Sequence, residues 1–405
     1  MIRKNIIKKN SVSKKFLDKK IAKRLSKRFN KVFKESIKNL NNSKNIYNIL
    51  SNNYKFNFNF NKLKKFKKFQ SVVIIGMGGS ILGTEAIYYF SRFKIKKKFY
   101  FLDDINVEKI SILKKKENLK KTLFLIISKS GNTIETLSNL FSLDLIKMKS
   151  QNIILISEKK DNVLYNLSKK FNLLFIEHKK NIGGRFSVLS EVGIIPAFFM
   201  DLNVKKLRKN TERYLLNDKQ SYLKESSLIM ANLLFQSKIK NLIFLNYDPH
   251  IEKFLFWCQQ LVAESLGKNK KGFLPVVSNV PKDHHSLLQL YLDGPKDKIF
   301  HIFSYDEKFD KKINTKKYTN RLNYLHNKNL SKIKISQKNA LIKTFKRNNI
   351  PFREFLIKNH DEETLGELFS YFILETIFVA KLSNINPFDQ PAVEQVKKFT
   401  KKILS

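Results

Sequence analysis

The chain has 405 residues, with 79 lysines and arginines against 34 aspartates and glutamates, a net charge of +45 and 42% hydrophobic residues. That length suits two or three domains or one two-lobed enzyme, with ample apolar material for buried cores. One cysteine, Cys258, excludes an intrachain disulfide and a cysteine-based zinc motif.

The basic residues form no single stripe. They sit at strand edges and on outer helix faces, as in KIKKKF (94–99) and LKKKEN (113–118). Lysine far exceeds arginine, and Asn, Ile and Phe are abundant, the profile of AT-rich codon usage. No specific nucleic-acid partner is therefore expected, although a positive field would draw anionic substrates toward a cleft. The start, MIRKNIIKKNSVSKKF, lacks the apolar core of a secretory signal. The most apolar stretch, LGELFSYFILETIFVAKL (365–382), is interrupted by Glu367, Ser370 and Glu375 and reads as a core helix. A cytoplasmic protein with no membrane partner is the expectation.

Residues 1–50 are polar and lysine-rich with spaced apolar residues, and read as loosely amphipathic helices packed on something larger. From residue 71 the rhythm becomes strand, turn, helix. VVIIG (72–76), KKFYFLDD (97–104), TLFLIIS (122–128), NIILIS (152–157) and LLFIE (173–177) are short apolar runs without alternation, as expected of strands covered on both faces. GGRFSVLSEVGIIPAFF (183–199) reads as a glycine turn entering an apolar helix. A second set follows: helix 221–236, strand 241–247, helix 251–266, strand 298–304, a polar surface excursion 305–335, strand 350–358 and helix 361–382. NPFDQPAVEQVKKFTKKIL ends the chain in a turn and a helix, with Pro391 near the first turn. The pattern predicts an α/β chain of two parallel-sheet lobes. The expected divisions are a helical segment 1–50, a first lobe 51–200, a second lobe 201–382 and a terminal segment 383–405.

Two glycine loops stand at strand ends. In IIGMGGSILG (74–83), Gly76, Gly78, Gly79 and Ser80 follow the first strand. In ISKSGNTIET (127–136), Ser128, Ser130 and Thr133 surround Gly131 before a helix. Small hydroxyls, close backbone approach and free helix-start N–H groups make an anion pocket suited to phosphate. Neither loop is GxxxxGK[ST] or GxGxxG, and Glu85 comes too soon for a ribose carboxylate, so a nicotinamide enzyme is disfavoured. Arg185, beside a glycine pair, is notable in a lysine-biased chain because lysine cannot supply its fork. Glu264 lies among Leu261, Val262 and Leu266, where partial burial would suit a general base. His284 and His285 are adjacent, so at most one would reach a given site. No HExxH and no carboxylate cluster with metal spacing is present, so no metal is expected. Lys397 lies on a short amphipathic segment.

In this order the elements resemble the glucose-6-phosphate isomerase family. GMGGSILG resembles its G-x-G-G-S-x-L-G loop, and SKSGNTIET its SK[ST]-x-x-T-x-ET phosphate segment. GGRFS, QLVAESLGK, DHHSLLQ and FDQPAVEQVK match GGR[FY]S, Q-x-x-x-ES-x-GK, D-x-HS-x-x-Q and FDQ-x-[GA]-VE-x-x-K. The six elements span residues 74–397. The resemblance implies two sugar-isomerase (SIS) lobes of three-layer αβα type with helical segments at both ends, a homodimer, a sugar-phosphate substrate and no cofactor. It implies that Glu264 moves a proton between C2 and C1 through a cis-enediol, with His285 and Lys397 assisting ring opening. Arg185 would stabilise charge on the enediol oxygen. Ser128, Lys129, Ser130 and Thr133 would hold the phosphate, with Gly79, Ser80 and Gln390 facing the sugar. In the family the histidine reaches the site from the partner subunit.

Glu191 departs from the family's usual small residue. A solvated helix position is the preferred reading, with weakening of the Arg185 field as the other. SKSGNT also resembles the bifunctional phosphoglucose/phosphomannose isomerases, which lack the FDQ-x-[GA]-VE-x-x-K ending. From a different class, a sugar-phosphate-sensing regulator would join an SIS lobe to a helix-turn-helix domain. Residues 1–50 lack a compact three-helix pattern with a glycine-centred turn, and no glycine precedes Gly76.

Overall fold

A computed structural model describes residues 5–146, 150–216, 221–305, 307, 311–319 and 321–405. The chain opens with strand β1 (Ile6–Asn10) and then builds a first sheet from β2 (Ser71–Ile75), β3 (Lys98–Leu102), β4 (Thr122–Ile127), β5 (Ile153–Ser157) and β6 (Leu174–Glu177). A second sheet takes β7 (Asn241–Asn246), β8 (Leu274–Asn279), β9 (Lys298–Tyr305) and β10 (Phe352–Ile357). The first sheet runs β3-β2-β4-β5-β6, parallel throughout. The second runs β1-β10-β9-β7-β8, parallel except for β1, which pairs antiparallel with β10.

The continuous apolar runs have a simple cause. Every residue of β2, β4 and β5 is buried, because helices cover both faces. The second lobe's centre is helix Glu362–Leu382, which buries all its residues except Glu363 and Lys381. Its acidic residues are paired: Glu367 accepts from Tyr214 Oη at 2.6 Å and Arg213 at 2.8 Å, and Glu375 holds Arg353 at 2.7 Å. Buried charge survives in such a core because it is partnered. Among the described residues, no helix is long and apolar enough to cross a membrane. The lobes meet where helix Leu82–Ser91 packs along helix Glu252–Leu266.

Two strands depart from the expectation. The 1–50 segment contains helix Lys19–Asn39, but it also gives the second sheet its edge strand β1, Ile6 facing Ile357. LPVVSN forms β8 at the opposite edge, where Pro275 is tolerated because an edge strand leaves one ladder unpaired. The 305–335 excursion is exposed at Tyr318 and Tyr324, and Leu330 already opens helix Leu330–Arg347; positions 306, 308–310 and 320 lie outside the described residues.

Candidate active site

Neighbouring strands bring the two glycine loops together. β2 and β4 pair in register, with Ile75 opposite Ile126, so Gly76 leaves the sheet beside Ile127, one residue before Ser128. Ligands of open α/β sheets gather at such carboxyl ends. After β4 the chain turns at Gly131, whose φ is +70°. A Cβ there would lie 1.8 Å from Asn162 Oδ1, so both conformation and space demand glycine. The turn gathers three hydroxyls. Ser128 Oγ and Thr133 Oγ1 stand 2.8 Å apart, and Ser130 Oγ lies 3.4 Å from each. Helix Ile134–Ser142 begins here with Thr133 as N-cap, making no side-chain cap bond. The helix-start N–H groups and these hydroxyls are the donors a phosphate needs. Lys129 flanks them; its Nζ donates to Lys180 O at 2.9 Å and stands 3.7 Å from Glu158, and burial lowers its pKa. His178 is buried nearby, and burial beside Lys129 pushes its pKa down to about 4.

The β2 loop then carries the contact toward the second lobe. Gly79 lies flat on the Gly184–Arg185 peptide: a Cβ would meet Gly184 C at 2.1 Å. Ser187 Oγ donates to Gly79 O at 3.3 Å, and Ser80 is buried in the same loop. Gly78 backs onto Gln260, whose Nε2 would be 2.7 Å from a Cβ. Two glycine contacts thus fix the positions of Arg185 and Gln260.

Arg185 is the hub. Its Nε donates to Ser265 Oγ at 2.8 Å, and its Nη1 to Glu264 Oε2 at 2.8 Å and Gln390 Oε1 at 3.0 Å. Its Nη2 donates to the carbonyl of Pro387 and to that of Asp389 at 3.1 Å. All five guanidinium N–H groups are therefore engaged. Burial pulls the arginine's pKa below its ordinary value, and Glu264 opposes that shift. The Arg185 side chain is 1% exposed while that of Glu264 is 33% exposed, so the cation is sealed behind a partly open carboxylate. Glu264 Oε1 accepts from Gln260 Nε2 at 2.9 Å. The arrangement is an oriented, partly open carboxylate with a fixed cation behind it, reached through the glycine loops from a hydroxyl cradle.

Sequence reasoning did not single out Gln260. Its signal was available: it stands four residues before Glu264 on one helix and on the same face. His285 and Lys397 are not brought to this cluster. His285 sits exposed in the turn Lys282–His285, with no hydrogen bond among the described residues. Lys397 is exposed on helix Val393–Leu404 and pairs with Glu394 at 2.7 Å. Glu191 corrects its preferred reading as a solvated residue. It is fully buried, accepting from Tyr54 Oη at 2.8 Å and Asn57 N at 2.9 Å, because the 51–58 segment folds over it. It is not among the partners of Arg185. Among the described residues, no group of His, Cys, Asp or Glu is gathered as a metal site.

Fold and cradle together define a two-lobed SIS-type phosphosugar protein. The likeness of fold extends to a Thermus thermophilus protein described as hypothetical, with a TM-score of 0.80, 24% identity and coverage of 98% of this chain and 100% of that one. The chain belongs to the phosphoglucose isomerase family, whose pattern it matches over residues 34–278. It is 32% identical over 363 residues to the glucose-6-phosphate isomerase of Methanocaldococcus jannaschii, covering 85% of this chain and 87% of that protein. It is 34% identical over 389 residues to a probable glucose-6-phosphate isomerase of Methanococcus maripaludis, covering 91% and 86%.

Proposed function

We propose that this chain interconverts glucose 6-phosphate and fructose 6-phosphate, with Glu264 as the base. The observation that carries the reading is the Glu264 carboxylate, held between Arg185 and Gln260 and one-third exposed. The phosphate occupies the Ser128, Ser130 and Thr133 hydroxyls and the helix start behind them, with Lys129 adding positive charge. Gly79, Ser80 and Gln390 face the sugar. Binding of the dianion far from the reacting carbons positions C1 and C2 against the carboxylate. Once the ring is open, Glu264 removes the proton from the carbon beside the carbonyl. The electron pair forms the C1–C2 double bond, the carbonyl oxygen takes up a proton to become an enediol hydroxyl, and the neighbouring hydroxyl gives one up as it becomes the new carbonyl. Return of the proton to the other carbon completes the exchange without net oxidation. Arg185, saturated by its five acceptors, stabilises that oxygen through its fixed charge; a direct bond would require release of Gln390 or Glu264.

His285 and Lys397 serve ring opening. The exposure of His285 supports a role across a homodimer interface, and helix Val393–Leu404 must lie over the cleft for Lys397 to act. A cytoplasmic setting fits these assignments. The phosphoglucose/phosphomannose alternative has less support, because the FDQ-x-[GA]-VE-x-x-K element that supplies Gln390 is present.

Glu264→Gln tests the base directly in a coupled assay, fructose 6-phosphate in and glucose 6-phosphate out. Turnover is expected to fall at least ~10²-fold with KM little changed and the melting temperature retained. Near-normal turnover would remove Glu264 from the chemistry.

A further inference from the structure

The two adjacent histidines are held very differently. His284 Nε2 meets Tyr247 Oη at 3.0 Å, and burial, with the neighbouring His285, lowers its pKa against the opposing pull of Asp283. His284 is thus anchored at the end of β7. His285, the next residue, is exposed and unbonded among the described residues. What fixes its direction is Asp283. The Asp283 Oδ2 accepts from Ser278 Oγ at 2.9 Å and from Asn279 N at 2.9 Å, both at the end of β8. Its backbone carbonyl accepts from Leu287 N at 2.9 Å, closing the turn into helix Leu288–Leu292. Asn279 is itself braced, accepting from Asn246 Nδ2 at 2.9 Å and donating to Glu252 at 2.5 Å. Glu252 opens the helix that carries Glu264. With no side-chain hydrogen bond of its own, His285 takes its place from its backbone, and here the backbone is clamped on both sides of residue 285.

We propose that Asp283 is a positioning residue for His285, fixing the 282–286 turn to the end of β8 so that the imidazole leaves the fold from one fixed backbone position. The inference rests on the reading of His285 as the ring-opening histidine. It separates Asp283 from a residue that merely stabilises the fold, because its whole effect on turnover passes through one side chain.

A double-mutant cycle tests it: wild type, Asp283→Ala, His285→Ala and the double variant, with kcat and KM measured on fructose 6-phosphate and folding followed by melting. His285→Ala is expected to lower kcat about 10²-fold, the scale of a lost proton-transfer group, and Asp283→Ala to lower it by a comparable factor with KM changed less than about twofold. The double variant should be no slower than His285→Ala alone. Asp283→Asn, whose amide oxygen can still accept from Asn279 N, should keep kcat within about threefold of wild type; if the alanine variant does not fold, Ser278→Ala, which removes one donor to Asp283, takes its place in the cycle. Losses that multiply in the double variant would overturn the positioning role, as would a wild-type kcat for Asp283→Ala beside an impaired His285→Ala. A wild-type kcat for His285→Ala would overturn the histidine's own assignment, and this inference with it.

Discussion

At the scale of single residues, the site is organised by what cannot be replaced. Gly131 and Gly79 leave no room for a Cβ, and Arg185 uses every donor it has. The same precision extends to His178, which lies beside the phosphate-side lysine and is buried neutral with its pKa pushed down to about 4. Between pH 6.5 and 4 the unfolded chain takes up a proton at this histidine while the folded chain does not. Stability must therefore fall as pH drops through that window, and no contribution remains above it. His178→Asn keeps an N–H near the Lys179 carbonyl that now lies 3.1 Å from Nδ1, but cannot titrate. Its melting temperature is expected to decline less steeply than that of wild type between pH 6.5 and 4; identical slopes would contradict the buried neutral state. Some of this was legible beforehand. GGRFS and QLVAESLGK point to Arg185 and Glu264, but not to each other. The acceptors that complete the arginine's cage are the Pro387 and Asp389 carbonyls, and backbone atoms leave no mark on residue identity. Glu191 misled for a related reason: its partners Tyr54 and Asn57 come from a distant segment.

At the scale of elements, strands covered on both faces announce themselves and edge strands do not. β2 and β4 are unbroken apolar runs because every position is buried. β1 alternates weakly and carries two lysines, and β8 contains a proline, since each edge needs only part of its residues inside. Helix Val393–Leu404 is the element whose sequence and position differ most. It was readable as amphipathic, yet Val393, Val396, Phe399 and Ile403 are all exposed and none of its residues is buried. Within one chain it adds nothing to the core, so what its removal would cost is the role proposed for Lys397. Removing residues 393–405 should leave the melting temperature close to that of the full chain while lowering turnover about 10²-fold through loss of Lys397. A large fall in melting temperature would instead assign the helix to the packing of the fold.

At the scale of the whole molecule, two similar sheets divide the labour. The first supplies the hydroxyl cradle proposed for phosphate at the ends of β2 and β4, the second brings the helix that carries Glu264, and the glycine contacts at Gly78 and Gly79 join them. The net charge of +45 gives the whole chain a field that favours a dianionic substrate. The exposed His285 makes a specific demand on assembly. If it completes the site of a second copy, Glu264→Gln and His285→Ala subunits, each inactive alone, should regain activity when mixed and allowed to exchange. Random pairing would restore about a quarter of the sites. No recovery, with exchange verified, would place His285 within its own subunit or outside the chemistry.

The central claim is that one carboxylate carries a proton between neighbouring carbons, and isomerisation of fructose 6-phosphate in deuterated water tests it most directly. A carboxylate that holds the proton in a cleft open to solvent exchanges part of it, so glucose 6-phosphate formed by the wild-type chain should carry deuterium at C2 in a fraction of molecules. Glu264→Gln should form almost no product. Product free of deuterium at every extent of reaction, or labelled product formed at the wild-type rate by Glu264→Gln, would contradict the account.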